Sequence, residues 1–287
     1  MTTAVPSNLS NLSNLSNISN MTNATTASHA THVPLAPTGS VSSFVVDGVA
    51  DVCFGHPKSN SLPASVLSAL ALEITQMGTR DDVRVILLRS YGTGAFCAGA
   101  SFDELVAIAD AVAGKEFFMG FARVIMAMVA CPKPIITRVH GKVVGGGVGI
   151  VAASDYAMAV DKAALRLSEL AVGIGPFVVG PVIEHKTGPG PFGAMAIDAD
   201  WRDAVWGERN GLYARVFATL DDLDSALSDF AHRLAASNPD AVARIKRITW
   251  ASTNSWPRLL EERAAMSGTL VLSEYTRKAI AAFVAKA

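Results

Sequence analysis

Residues 132–176 read PKPIITRVHGKVVGGGVGIVAASDYAMAVDKAALRLSELAVGIGP, and this stretch decides the fold. Ile135–Val139 reads as a buried strand, rich in Ile and Val and bounded by Pro134 on one side and the glycine-containing segment on the other. Gly145-Gly146-Gly147 then makes a turn, Val148–Ser154 a short helix, and Tyr156–Val160 a second buried strand. The loop beyond that strand carries one carboxylate, Glu169. Glycine at a helix start has no Cβ, so main-chain N–H groups there can come close to a ligand atom. A carboxylate brought to the same place is a proton acceptor. A polarising N–H beside a lone base suits removal of a proton next to a carbonyl.

Working outward, Val83–Leu88 reads as another buried strand, followed by the small-residue loop Ala95-Phe96-Cys97-Ala98-Gly99-Ala100. If the strands at 83–88 and 135–139 share one sheet, their following loops open on one edge, where open α/β sheets bind ligands. One N–H from each loop can then meet at a single oxygen, and such donors contribute about 3 kcal/mol each to a developing oxyanion. Taken singly, each loop also fits an ordinary tight turn.

Further out, Ser43–Val46 and Val49–Phe54 flank Asp47-Gly48 as a β-hairpin. Pro63 opens a helix that continues to Met77. Helices are expected at 102–113, 115–130, 180–186, 192–197, 221–237, 239–254 and 257–286, with a late strand at Leu212–Phe217. Strands alternating with helices, then helices alone, give an α/β core (39–215) and a C-terminal helical module (216–287). Residues 1–38 are low-complexity repeats of Ser, Asn and Leu that drift into Thr and Ala; such a segment buries no core and is expected to be disordered.

Composition narrows the function. Half of the 287 residues are hydrophobic, only 17% are charged, and the formal net charge is -1. No basic stripe marks a nucleic-acid binder, and no apolar run reaches the roughly 20 residues of a membrane span. Cys53, Cys97 and Cys131 are too widely spaced for a disulfide framework or a zinc site and fit a reducing cytoplasm as small buried apolar residues.

Phe96-Cys97-Ala98-Gly99-Ala100, Lys133-Pro134, Val139-His140-Gly141 and Gly145-Gly146-Gly147 with Asp155 together resemble the crotonase (enoyl-CoA hydratase/isomerase) superfamily, over about residues 42–287. The resemblance implies a spiral of ββα turns, with the helical tail used to form trimers that pair into hexamers. It implies acyl-CoA thioester substrates, with coenzyme A as part of the substrate and no separate cofactor or metal. The thioester oxygen would lie between the N–H groups of Ala100 and Gly146, with Ala98, Gly145 and Gly149 among the substrate-binding residues. Lys58 would stand where the nucleotide end of coenzyme A passes, and is otherwise a surface lysine.

Hydratases of that family use two glutamates. Here the first position is Gly149, while the second, Glu169, is retained. Water addition needs one group to position water and another to deliver a proton; a double-bond shift needs only one base. The resemblance therefore implies an isomerase-type proton shuttle at Glu169. A hydratase would need a substitute acid, for which Glu184 is the candidate, although it also reads as a solvated helix residue. Asp103 and Glu104 fit the first turn of a helix, and His140, which replaces a family asparagine, fits a packed histidine. Two rivals stand beside this reading. Gly147-Val148-Gly149-Ile150-Val151-Ala152 matches the G-x-G-x-x-A of nicotinamide oxidoreductases, though the helix is too short to recross a sheet. A non-catalytic CoA-thioester-binding homologue of the same fold also suits a chain lacking one carboxylate.

Overall fold

The computed structural model describes residues 35–284. Of the tail expected at 1–38, residues 1–34 lie outside the described residues. The chain begins with the hairpin β1 (Ser40–Val46) and β2 (Val49–Gly55). Asp47 and Gly48 both take positive φ, 49° and 79°, as the two-residue turn matching strand twist requires. Helix α1 (Ala64–Thr79) buries Val66, Leu67, Leu70, Ile74 and Met77 along one face, a 3.6-residue period. Strand β3 (Val85–Ser90) follows, then helices α2 (Phe102–Ala107) and α3 (Ala111–Ala130). Strand β4 (Ile135–Val139), the short β5 (Val143–Val144), helix α4 (Gly146–Ala153), strand β6 (Tyr156–Val160) and the short β7 (Leu165–Arg166) make up the central stretch. Helices α5 (Gly180–Thr187), α6 (Pro189–Asp198) and α7 (Ala204–Arg209) precede strand β8 (Arg215–Phe217). The chain then continues through α8 (Leu220–Ala235), α9 (Pro239–Thr249), α10 (Trp256–Leu270) and α11 (Glu274–Val284).

The main sheet has the order β1-β2-β3-β4-β6-β8. Only β1 is antiparallel; every other neighbour pairs in parallel. A second, shorter ladder runs beside it: β5 pairs with β7, and single bridges join Cys97 to Val143, Leu165 to Arg202 and Leu62 to Ala100. Successive turns of chain thus give a long strand to the sheet, a short segment to the ladder, and then a helix. That is the expected spiral of ββα turns. Helix α4 is buried along its whole length, which suits its sequence GGVGIVAA, apolar all round.

Several expected elements differ in their bounds. The helix read at 102–113 is interrupted after Ala107. Asp110 caps the next helix by accepting from the Ala113 N–H at 2.9 Å, so α3 starts before Lys115. The central helix starts two residues earlier than Val148, at Gly146. The late strand is only Arg215–Phe217. The helix from Pro239 ends at Thr249 in a 3-10 turn (Ala251–Thr253), and the tail from 257 divides between α10 and α11. Helix α7 and the β5–β7 ladder were not foreseen; two-residue strands carry no readable period.

Helix α10 crosses α3 where two glycines meet. A Cβ on Gly114 would stand 2.7 Å from the Gly268 carbonyl oxygen, and one on Gly268 would stand 2.4 Å from the Lys115 nitrogen. Helix α9 is tied to the sheet by a buried lysine. Lys246 donates to the carbonyls of Met128 (2.8 Å) and Lys133 (3.0 Å) and pairs with Asp155 at 2.7 Å.

Candidate active site

β3 and β4 are parallel neighbours, so the loops that follow them emerge at the same sheet edge. The short ladder locks the two loops together: Cys97 N–H reaches the Lys142 carbonyl, and Val144 N–H donates to the Cys97 carbonyl at 2.9 Å. Gly99 takes φ +92°, turning the chain so that its carbonyl accepts from Leu62 N–H while Ser101 N–H returns to the Leu62 carbonyl. Between these two, the Ala100 N–H donates to no acceptor among the described residues. In the second loop Gly145 takes φ +53°, and its N–H donates to Arg166 at 2.9 Å. Gly146 is the first residue of α4, so its N–H has no intrahelical acceptor.

Glu169 arrives from β7 and opens a 3-10 turn (Leu170–Val172) that Gly173 ends at φ +81°. The Glu169 carbonyl accepts from Ile174 N–H at 2.9 Å, closing the turn on itself. The carboxyl is buried, and its Oε2 has no hydrogen-bond partner. Oε1 lies against Gly145, where a Cβ would stand 3.0 Å from it. Burial in apolar surroundings pushes the Glu169 carboxyl up to about 7; the amides of Glu169 and Ser168 pull weakly the other way.

One cavity of about 80 Å³ gathers these parts. Ala98, Ala100, Gly145, Gly146 and Glu169 all line it. The remaining candidates lie elsewhere. Gly149 is packed behind the wall: a Cβ there would stand 2.6 Å from Val179 Cγ1, and it is Val179 that faces the cavity. Glu184 is exposed on α5, away from the lining. Lys58 is exposed and paired with Asp103. Glu104 accepts from Ala64 N–H at 2.9 Å, capping α1. His140 is packed, with both ring nitrogens buried and unpartnered; burial chiefly, with Arg138 adding to it, lowers its pKa to about 4. All three cysteines are buried and free, and burial holds the Cys97 thiol up at about 12, an inert group. Gly147 and Gly149 sit inside α4 and not in a ligand loop, unlike the glycines of a dinucleotide turn. Among the described residues, no three His, Cys, Asp or Glu side chains gather as metal ligands would, and no helix is long and apolar enough to cross a membrane.

Sequence reading missed the aromatic wall. Phe117, Phe118 and Phe121 line the cavity from α3, Phe102 from the start of α2, and Phe177 from the loop before α5. The spacing of Phe117, Phe118 and Phe121 puts them on one helix face, a signal available in the sequence. It also missed Asn60, buried in the loop before α1, whose amide donates to the carbonyls of Tyr91 and Ala95 at 2.9 Å each and so holds the first site loop.

Comparison with known proteins bears on the family and the fold. A (7aS)-7a-methyl-1,5-dioxo-2,3,5,6,7,7a-hexahydro-1H-indene-carboxyl-CoA hydrolase of Mycobacterium tuberculosis is 28% identical over 202 residues, 69% of this chain and 79% of that protein. Its Rhodococcus jostii namesake is 32% identical over 132 residues, 46% of this chain but only 51% of that protein, so the match spans about half the relative's length. The fold matches the crystal structure of an enoyl-CoA hydratase from Mycobacterium avium subsp. paratuberculosis with a TM-score of 0.76 at 22% identity, covering 86% of this chain and 99% of that one. The enoyl-CoA hydratase/isomerase family model matches residues 45–287, and the chain belongs to that family, within the crotonase superfamily.

Proposed function

We propose that the protein shifts the double bond of an enoyl-CoA thioester, with Glu169 carrying the proton. The carrying observation is a buried carboxyl with one unpartnered oxygen, facing a largely apolar cavity beside two main-chain donors. In this mechanism the thioester oxygen accepts from Ala100 N–H and Gly146 N–H. Glu169 takes a proton from the α carbon of a 3-enoyl thioester, and the electron pair left behind delocalises over the dienolate onto that oxygen. The same carboxyl then returns the proton to the γ carbon, which leaves the double bond at the 2 position and Glu169 ionised again. A base that titrates near neutrality is matched to both halves of that exchange.

Hydration is the less supported alternative. The position of the first hydratase glutamate is Gly149, covered by Val179, and the substitute acid Glu184 is exposed and off the cavity. The bicyclic indene thioester in the two hydrolase names is also a poor guide to this substrate. A cavity of about 150 Å³ takes one benzene ring, and here the volume is about 80 Å³. Assembly as trimers or paired trimers belongs to the same proposal, and sedimentation as a monomer would refute it. The reaction is tested by comparing turnover of a 3-enoyl-CoA with hydration of crotonyl-CoA. Isomerisation abolished by Glu169→Ala is expected; robust hydration that survives that substitution overturns the reading.

A further inference from the structure

Three phenylalanines of α3, Phe117, Phe118 and Phe121, line one side of the cavity. The Phe121 ring lies directly over Gly146, where a Cβ would stand 2.3 Å from the ring edge, so this turn of α3 sits at the oxygen-binding end. One turn toward the N-terminus, Phe117 and Phe118 line the same cavity, their rings edge to face at 5.1 Å. A further turn along, Gly114 is closed off by the backbone of Gly268. A helix advances about 1.5 Å per residue, so Phe118 stands only about 5 Å along α3 from the turn that covers Gly146.

Phe118 is also held on both sides. It packs against the main core and against the smaller apolar cluster of Leu105, Ile108, Val172, Ile174, Val271 and Ile280. A ring wedged between two packed clusters is a wall more than a gate. The volume agrees with that distance. If about 150 Å³ holds the six carbons of benzene, about 80 Å³ holds roughly three carbons beyond the thioester carbonyl.

We infer that the site selects short acyl thioesters, of about four carbons, and that Phe118, backed by Phe117, closes the acyl end. The inference rests on the thioester-enolate reading of the site, but its test does not need turnover.

The test measures binding of butyryl-CoA and decanoyl-CoA to the full chain by calorimetry, for the wild type, Phe118→Ala and Phe118→Leu. The wild type is expected to bind butyryl-CoA at least tenfold more tightly than decanoyl-CoA. Phe118→Ala is expected to reduce that ratio at least tenfold, and Phe118→Leu to reduce it less. Equal affinities in the wild type, or a ratio that neither folded variant moves, overturn the inference. If the alanine variant does not fold, the leucine variant and the wild-type ratio decide. A butyryl-CoA preference in a protein that isomerises no 3-butenoyl-CoA keeps the chain-length inference and refutes the proton-shuttle reading instead.

Discussion

Asp155 and Glu169 stand at the two ends of the segment that contains β6, and the protein treats the two carboxylates in opposite ways. Asp155 has a partner at each oxygen. Oδ2 accepts from Ile135 N–H at 2.8 Å and pairs with Lys246 at 2.7 Å, while Oδ1 accepts from Trp250 Nε1 at 2.8 Å. Glu169 leaves its buried Oε2 without a hydrogen-bond partner. Burying a charged group without partners is costly, and natural proteins seldom tolerate it outside functional sites. Asp155 therefore spends its hydrogen-bonding capacity on joining β4 to α9, whereas Glu169 has one oxygen that no described residue satisfies, as the proposed base would require.

The largest expected effects come from removing each carboxylate in turn. Glu169→Gln keeps the shape and removes the base, so kcat for the double-bond shift should fall by about 10³-fold with folding intact, the scale of a lost general base. Asp155→Ala should do the reverse. It leaves the Lys246 ammonium buried with carbonyl partners only, and the loss should be about 3–5 kcal/mol of stability, while kcat per folded molecule changes little. Chemical denaturation and steady-state turnover of both variants separate the two outcomes; a Glu169→Gln protein with wild-type turnover breaks the comparison.

The pH dependence sharpens it next. The Glu169 carboxyl titrates near 4.5 in the unfolded chain and about 7 in the folded one. Its protonated form is the one the fold prefers, so its contribution to stability is fully present below pH 4.5 and is lost as pH rises through about 7. The size is about 3 kcal/mol. The stability of wild type relative to Glu169→Gln should drop by that amount between pH 4 and pH 8. Catalysis runs the other way, because only the ionised form accepts a proton. kcat/KM should climb with pH and level off above about 7. A stability difference that stays flat across this range would mean the carboxyl is solvated.

Restoring the absent acid gives a smaller effect. A Gly149→Glu side chain would enter space already held by Val179 Cγ1 and Cβ, at 2.6 and 2.9 Å from the new Cβ. Overpacking of this kind costs about 1–3 kcal/mol, and no crotonyl-CoA hydration should appear. Hydration gained without loss of stability would mean the site retains the geometry of a two-carboxylate enzyme.

Much of this contrast was legible in the chain. The bounds of β4 and β6 follow from strand-length segments rich in Ile, Val and other apolar residues between Pro134, the glycines and Asp155, and the structure reproduces them residue for residue. Glu169 stands out because it is a lone acid in an apolar stretch after a glycine turn. What could not be read depends on distant packing. Lys246 looks like one more cation on an amphipathic helix until the fold brings it against Asp155. Phe118 looks like core until the cavity is seen on one side of it. The break after Ala107 has no proline or glycine beside it, and near the break after Leu270 the one glycine, Gly268, lies within α10; α3 restarts on an Asp110 cap and α11 on Ser273, which accepts from Thr276 N–H at 3.2 Å.

That last cap leads to the smallest predicted effect. Thr276 is wholly buried, accepts from the Ser273 hydroxyl at 3.0 Å and donates to the Gly173 carbonyl at 2.9 Å, at the end of the turn that Glu169 opens. Helix α11 therefore holds the Glu169 loop by one hydrogen bond and by the apolar contact of Ile280 with the cluster containing Val172 and Ile174. Thr276→Val keeps the shape but leaves the Gly173 carbonyl without this donor, a loss of about 1 kcal/mol. If the loop only needed stability, that is all that would change. If α11 keeps water from the carboxyl, the rise in kcat/KM should also move to lower pH, because a better-hydrated Glu169 ionises more readily, and Thr276→Ser should bring it back. A pH profile identical in the valine variant and the wild type would reduce α11 to a structural strut and leave the burial of Glu169 to the cavity walls alone.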